Sequence, residues 1–552
     1  MRKRTLYLIS ILLIATLIRV IALDKYPAGL NADEAAIGYN AWSLLDTGKD
    51  EHSNSWPLVF RSFDDYKPPV YFYLVLPFVK FMGPSVWAVR LPSAILGVIS
   101  IYLLYLLVQN LFPKNKHLPL ISALLLTLSP WHIHFSRGGW EVNAALFLIL
   151  LSLVFFLKSY RNIRYLFLFG LTSVVAMYTY HSARIVLPLL VLGLFVINLK
   201  ESLTLFRAKN LKITLAALFI SLILIIPLAS QLLSKEGQSR FNGVSIFADE
   251  GPLWQALELR RAHEKETFLV KVIHNRYLSY GLRFTKNYLS HFSPRFLFVT
   301  GDEIARSRVP GVGQSLIVLF PFFAAGLIGI LKQNSPGKKF FLYWFLVSPL
   351  AASLTFQSPH ALRAQNMVVP LTLITAMGII ILYRSLAKFP QMIISLLVTL
   401  CLLLLTYDFG YYLHAYYLHY PKELPYAWQY GFDQIGSYVK DNYDKYDKII
   451  ISDRYDQPYI LMAFFLKYDP ETLQKELVLT PRDKFGFSTV KNFGKMEFRK
   501  INFGEDRKIP NALILEADEG VDEKNVIHTI YDPAGKQMYR FAVSDQYNKP
   551  TP

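Results

Sequence analysis

The sequence predicts a polytopic α-helical membrane protein of about eleven transmembrane helices with a C-terminal α/β domain. Three observations lead there. Of 552 residues, 53% are hydrophobic and only 18% charged, below the roughly one quarter usual in soluble domains. Mean hydropathy is +0.30. Apolar runs of about 20 residues, the length needed to cross a bilayer, recur through residues 1–406. The basic clusters between those runs all fall on one side, as the positive-inside rule requires.

The first run, Leu6–Leu23, follows Arg2, Lys3 and Arg4. A signal peptide would look similar, but no small-residue cleavage motif follows. It reads as an uncleaved first helix with a cytoplasmic N-terminus, the mark of a multi-pass cell-membrane protein. An outer loop, residues 24–86, comes next. Within it Val70–Met82 is aromatic and interrupted by Pro77, and reads as a membrane-surface helix. Trp87–Phe112, Leu118–Trp131 and Ala144–Leu157 are the following spans, with Lys114, Lys116, Lys158, Arg161 and Arg164 inside. Tyr165–Tyr180 and Ile185–Asn198 flank a short outer loop, and Lys200, Arg207, Lys209 and Lys212 are again inside. Ile213–Leu233 leads into a long outer segment, residues 234–313. Three further spans end at Lys332–Lys339, at the outer loop 356–366 and at Arg384–Lys388, and Gln391–Leu405 is the last. An odd count places residues 407–552 outside.

That tail is expected to be a soluble extracytoplasmic α/β domain. A polar-faced helical stretch, Gln429–Asp444, alternates with the strand-like runs Lys448–Ile451, Ala512–Leu515 and Tyr539–Val543.

The net charge of +18 comes largely from the loops that set topology, so nucleic acid is excluded as a partner. The single cysteine, Cys401, rules out internal disulfides and cysteine-based metal sites. No phosphate-cradling glycine motif points to a nucleotide.

The chemistry gathers in the outer loops. Asp33 and Glu34 stand together at the start of a helix that ends near Gly48. Asn31 with Glu34 matches a capping box, which accounts for Glu34 and leaves Asp33 unexplained. Lys67 precedes Pro68 and Pro69, placing it in an extended segment, either snorkelling to the interface or offered to an anionic headgroup. Arg137 and Glu141 share a tight loop, where an incidental ion pair is the plainer reading and Arg137 is otherwise a candidate cation for a donor phosphate. His181 with Arg184, and His360 with Arg363, set cations at outer helix ends, against the topological trend. Arginine presents a planar fork of donors suited to phosphate oxygens. Asp33, Glu34 and Glu141 leave room for a divalent cation without identifying one.

The segments Asp33-Glu34, Tyr66-Lys67-Pro68-Pro69-Val70-Tyr71 and Trp87-Ala88-Val89-Arg90-Leu91-Pro92-Ser93 resemble the GT-C glycosyltransferases. Within these the chain is similar to the protein O-mannosyltransferase and aminoarabinose-transferase superfamily, over about residues 1–406. Ser136-Arg137 through Glu141 and Pro359-His360 through Arg363 fit the pattern as well. The resemblance implies a prokaryotic membrane enzyme that takes a sugar from a polyprenyl-phosphate donor outside the membrane. It would pass that sugar to a hydroxyl on a lipid, glycan or protein acceptor. Asp33 would activate the acceptor, Glu141 would be a second acidic residue where Asp is common, and Arg363 with His360 would face the lipid phosphate. A single displacement with inversion needs no retaining carboxylate pair. Two rival readings are a transporter or flippase of lipid-linked sugars and a non-catalytic envelope-assembly protein. The first gives no reason for a large outer α/β tail or a loop-borne acidic pair, and transport sites lie near the bilayer midplane; the second would make Asp33-Glu34 merely a helix cap.

Overall fold

The computed structural model describes residues 2–63, 65–234, 243–332, 335–482 and 488–546, apart from the side chains of Arg2 and Asp65. The chain forms two compact units. One comprises residues 1–21, 93–136 and 141–415; the other comprises 22–92, 137–140 and 416–552. This partition differs from the linear division at residue 407 drawn from composition, because the first outer loop groups with the C-terminal sheet.

The first unit is helical. Helices stand at every place where a span was expected, from Arg2–Val20 to Gln391–His414. Among the described residues five are long and apolar enough to cross a membrane, and a bent pair would make a sixth. Others are shorter: Tyr165–Met177 has 13 residues, which at about 1.5 Å per residue falls short of a bilayer core. The expected span Leu118–Trp131 is broken. Leu118–Thr127 ends, and Pro130–Arg137 continues at 56° to it. Pro130 has no N–H to donate and its ring obstructs the preceding turn, which forces the bend. The fully buried Arg19 fills the break, with its guanidinium 3.3 Å from Leu126 O, 3.4 Å from Thr127 O and 2.7 Å from His132 Nδ1. Carbonyls orphaned at a helix end thus find a donor in an apolar setting.

Helices Phe320–Lys332 and Val368–Leu386 pack backbone to backbone. A Cβ placed on Gly326 would strike Ile374 O, and one on Gly378 would strike Phe322 O. Small residues permit this approach, which van der Waals packing rewards in membranes.

The second unit holds a seven-stranded mixed sheet. Its strands are β3 (Lys448–Ile451), β4 (Val478–Leu479), β5 (Val490–Phe493), β6 (Met496–Phe498), β7 (Ala512–Glu516), β8 (Val526–Tyr531) and β9 (Gln537–Val543). They run in the order β4-β5-β6-β3-β7-β9-β8. A separate hairpin pairs β1 (Phe60–Ser62) with β2 (Asp65–Lys67). The central β3 is parallel to both neighbours, β6 and β7, and the outer pairs are antiparallel. A central parallel strand is covered on both faces, which is why Lys448-Ile449-Ile450-Ile451 reads as a continuous apolar run. Ile450, Ile514, Ala542, Ile501 and Phe503 form a core beside it. All three runs expected as strands are strands, and the expected helix is Phe432–Asn442.

Within this unit the helix Ala32–Thr47 packs on Val70–Met82, Pro458–Leu466 and Pro470–Glu476. Gln474 Nε2 reaches Ser43 Oγ (3.0 Å), Thr47 Oγ1 (2.9 Å) and Asp50 O (3.0 Å), and Tyr39 OH donates to Tyr468 O (2.8 Å).

Gly378→Ala is expected to destabilise the first unit by about 1–3 kcal/mol through overpacking. Gly410→Ala, at a helical glycine with open space around it, should be neutral or slightly stabilising. Thermal unfolding of the two purified variants checks the contrast.

Candidate functional site

The acidic pair opens the helix Ala32–Thr47. Asn31 is its N-cap, accepting from Glu34 N, while the Glu34 side chain reaches back to Asn31 N, so the capping box is present. The helix closes at Gly48, whose φ of +71° is the left-handed value that glycine adopts without strain. Successive helical residues point about 100° apart, and the two carboxylates meet different surroundings.

Glu34 is fully buried. Its Oε1 accepts from Arg90 Nε (2.9 Å) and Gly139 N (2.7 Å), and its Oε2 accepts from Arg90 Nη2 (2.9 Å). Arg90 is equally buried; Nη1 donates to Leu23 O (3.1 Å) and Pro27 O (2.9 Å), and Nη2 to Gly29 O (2.5 Å). Every donor of the guanidinium fork is met, and its face lies 5.4 Å from the Trp428 ring. Glu34 was expected among the catalytic carboxylates. With both oxygens committed and no solvent contact, its part is to lock the loop.

Asp33 differs. Its side chain is 27% exposed against 0% for Glu34, and it is ion-paired with the ammonium of Lys67. Lys67 is buried, with its nitrogen 5.1 Å from the Phe63 ring. Lys67 is thus the ion-pair partner of the Asp33 carboxylate. Arg137 is fully buried, donating to Ala22 O (3.3 Å), Tyr26 O (3.1 Å) and Tyr416 OH (3.3 Å). Its guanidinium stacks between Tyr416 and Tyr417, 5.4 Å from each ring. It ties residues 22–26 to Tyr416.

Near Lys67 lies a carboxylate that sequence reading passed over. Glu51 is buried, accepts from Asn40 Nδ2 (3.2 Å), and donates its own N–H to Asn40 Oδ1 (2.8 Å). Burial pushes its carboxyl up to about 8, with the Asn40 hydrogen bond and the Lys67 charge pulling the other way.

In the first unit, the two cation-bearing loops meet. A cavity of about 310 Å³ is lined by His181, Arg184 and Arg363, with Tyr180, Leu232 and Leu354 among its other walls. Arg184 donates through Nε to Met177 O (3.1 Å) and through Nη1 to His181 Nδ1 (2.9 Å), so its fork is held in place. His360 takes no part in that lining. It is buried with Nδ1 3.5 Å from Asp302 Oδ2, and burial, with Arg363 and Arg306 nearby, holds it below the usual histidine range despite Asp302.

Asp302, unforeseen in the sequence, fixes this loop by accepting from Ala361 N (2.6 Å) and Ile304 N (3.0 Å). His291 accepts from His360 N (3.1 Å) while its other nitrogen faces Asn287 O (2.8 Å), and burial lowers it to about 4. Glu141 is half-buried in the first turn of Glu141–Ser159, where a negative charge suits the helix dipole. Among the described residues no group of three or more His, Cys, Asp or Glu is placed to hold a metal ion.

The fold is that of the GT-C glycosyltransferases. The structure is similar to ArnT from Cupriavidus metallidurans bound to undecaprenyl phosphate, at 11% identity and a TM-score of 0.55, covering 99% of this chain and 100% of that one. It is also similar to the Archaeoglobus fulgidus oligosaccharyltransferase tethered to an acceptor peptide. There the identity is 14% and the TM-score 0.50, over 83% of this chain and 62% of that one. By sequence, residues 66–230 match the family described as dolichyl-phosphate-mannose-protein mannosyltransferase. Curated proteins give no sequence match.

Glu51 makes a signed pH prediction. Its folded-state pKa lies above its unfolded one, so between about pH 4.5 and 8 the folded state holds a proton that the unfolded state has released. Stability should therefore fall as pH rises through that window. Glu51→Gln should flatten the slope, as read from melting temperature against pH.

Proposed function

We propose that this protein transfers a sugar from a polyprenyl-phosphate donor to a hydroxyl acceptor on the extracytoplasmic side, with inversion and with Asp33 as general base. The observation that carries this reading is the split between adjacent carboxylates: Glu34 is consumed by structure, whereas Asp33 is partly exposed and held by a lysine. A carboxylate with solvent access and a fixed orientation is what a general base requires. The GT-C fold supports the reaction class, and the ArnT neighbour's undecaprenyl phosphate supports the donor class.

In the proposed step the acceptor oxygen attacks the sugar C1 and gives its proton to Asp33. The C1–O bond to phosphate breaks, and the lipid phosphate leaves with the electron pair. Phosphate is a good leaving group, so no general acid is required. Within the first unit, Arg184 and Arg363 line the cavity and are the candidate cations for a lipid phosphate. Lys67 orients Asp33 and balances its charge before the proton arrives. Glu141 remains a candidate second acid.

The test is a transfer assay with purified protein and a panel of polyprenyl-phosphate sugars. Asp33→Asn should lower kcat by roughly 10²–10⁴ with a normal yield of folded protein. Arg363→Ala should raise the donor KM roughly tenfold or more, the loss of a charge-assisted phosphate contact. Full activity in Asp33→Asn would remove the base assignment, and an unchanged donor KM in Arg363→Ala would remove the phosphate assignment.

A further inference from the structure

The long outer segment after the helix Ala208–Leu233 holds, between residues 251 and 290, the α-helices Gly251–Arg261, Phe268–Ile273 and Arg276–Ser290. The last turns one face inward: Asn287 Nδ2 donates to Thr355 O (2.9 Å) and Ser353 O (3.3 Å), and Tyr288 OH to Leu346 O (2.9 Å). Its apolar side is left outside, with Leu278, Leu282 and Leu289 exposed at helical spacing. An amphipathic helix that buries its polar Asn287 and exposes its leucines needs a further partner. The short helix Phe268–Ile273 buries no residue at all; Phe268 is 80% exposed and the neighbouring Tyr277 74%.

Charge identifies the partner. Residues 251–290 carry seven Lys and Arg against three Glu, in a segment too long for the positive-inside rule to set its charge. Topology therefore does not account for them. Aromatic and aliphatic side chains interleaved with cations match a helix lying in the headgroup region of an anionic leaflet. A protein partner would need no such excess of positive charge along the whole segment.

We propose that residues 251–290 form a membrane-surface flap that lays Phe268, Leu269, Tyr277 and Leu282 into the headgroup–acyl boundary of an anionic lipid leaflet. The flap is tied to the cavity described above. Ile246 N donates to Leu354 O (2.9 Å) and Phe356 N to Val244 O (3.1 Å), and Val244, Leu354 and Thr355 line that cavity. Contact with lipid thus bears on the wall beside Arg184 and Arg363.

The test uses the full chain in vesicles. Cys401→Ser removes the single cysteine, and Phe268→Cys or, in a second protein, Leu282→Cys carries an environment-sensitive fluorophore. Vesicles are made of phosphatidylcholine alone or mixed equally with phosphatidylglycerol, with brominated acyl chains as the lipid-phase quencher and iodide as the aqueous one. The flap predicts quenching by brominated lipid and protection from iodide at both positions. Quenching should be stronger with phosphatidylglycerol and weakened by added salt. Probes quenched by iodide and untouched by brominated lipid would overturn the proposal. Lipid quenching indifferent to phosphatidylglycerol and salt would overturn its anionic part.

Discussion

The buried pair of Glu34 and Arg90 is the constraint on which the second unit depends. Moving two charges out of water costs several kcal/mol each, and the attraction between them repays this only when the remaining polar atoms are satisfied. Here they are. The guanidinium also donates to the carbonyls of Leu23, Pro27 and Gly29, and the carboxylate also accepts from Gly139 and the Asn31 cap. One ion pair thereby fixes the exit of the first helix, the start of the next and the 137–140 turn. Close packing leaves little slack: a Cβ on Gly29 would strike Trp428 O, and one on Gly38 would press on the Phe464 ring. Asp33 inherits its position from this lock.

The first unit solves a related problem with carbonyls and loops. Arg19 occupies the break made by Pro130, and Asp302 binds the backbone of the 360–363 turn. Both are charged groups spent on holding irregular backbone where water is scarce. The cations left to line the cavity, Arg184 and Arg363, are the ones whose loops opposed the positive-inside trend.

Much of this was legible in the sequence, for reasons that can be named. Apolar length placed the helices, and continuous or alternating hydrophobicity placed β3, β7 and β9. The capping box at Asn31 and Glu34 was readable because its partners lie three residues apart. Arg90, Asp302 and Gln429 were not, because their partners are distant in sequence: Gln429 Oε1 accepts from Ala32 N at 2.6 Å across 397 positions. Arg137, Lys67 and, through the resemblance, His360 were candidates for a donor phosphate. Each proved to be buried against a partner that only the tertiary structure brings near. The helices of residues 251–290 went unread because they are short and polar in composition, although Arg276–Ser290 has a single apolar side.

The most direct test separates the two adjacent carboxylates. Glu34→Gln should break the buried pair and destabilise the protein by roughly 3–5 kcal/mol, leaving the Arg90 charge uncompensated. Thermal unfolding and sugar transfer measured on one preparation, at a temperature where part of the variant is folded, decide the matter. The account predicts a large drop in melting temperature with near-normal transfer per folded molecule. A variant that melts like the wild type yet transfers no sugar would contradict it, and would make Glu34 the catalytic carboxylate.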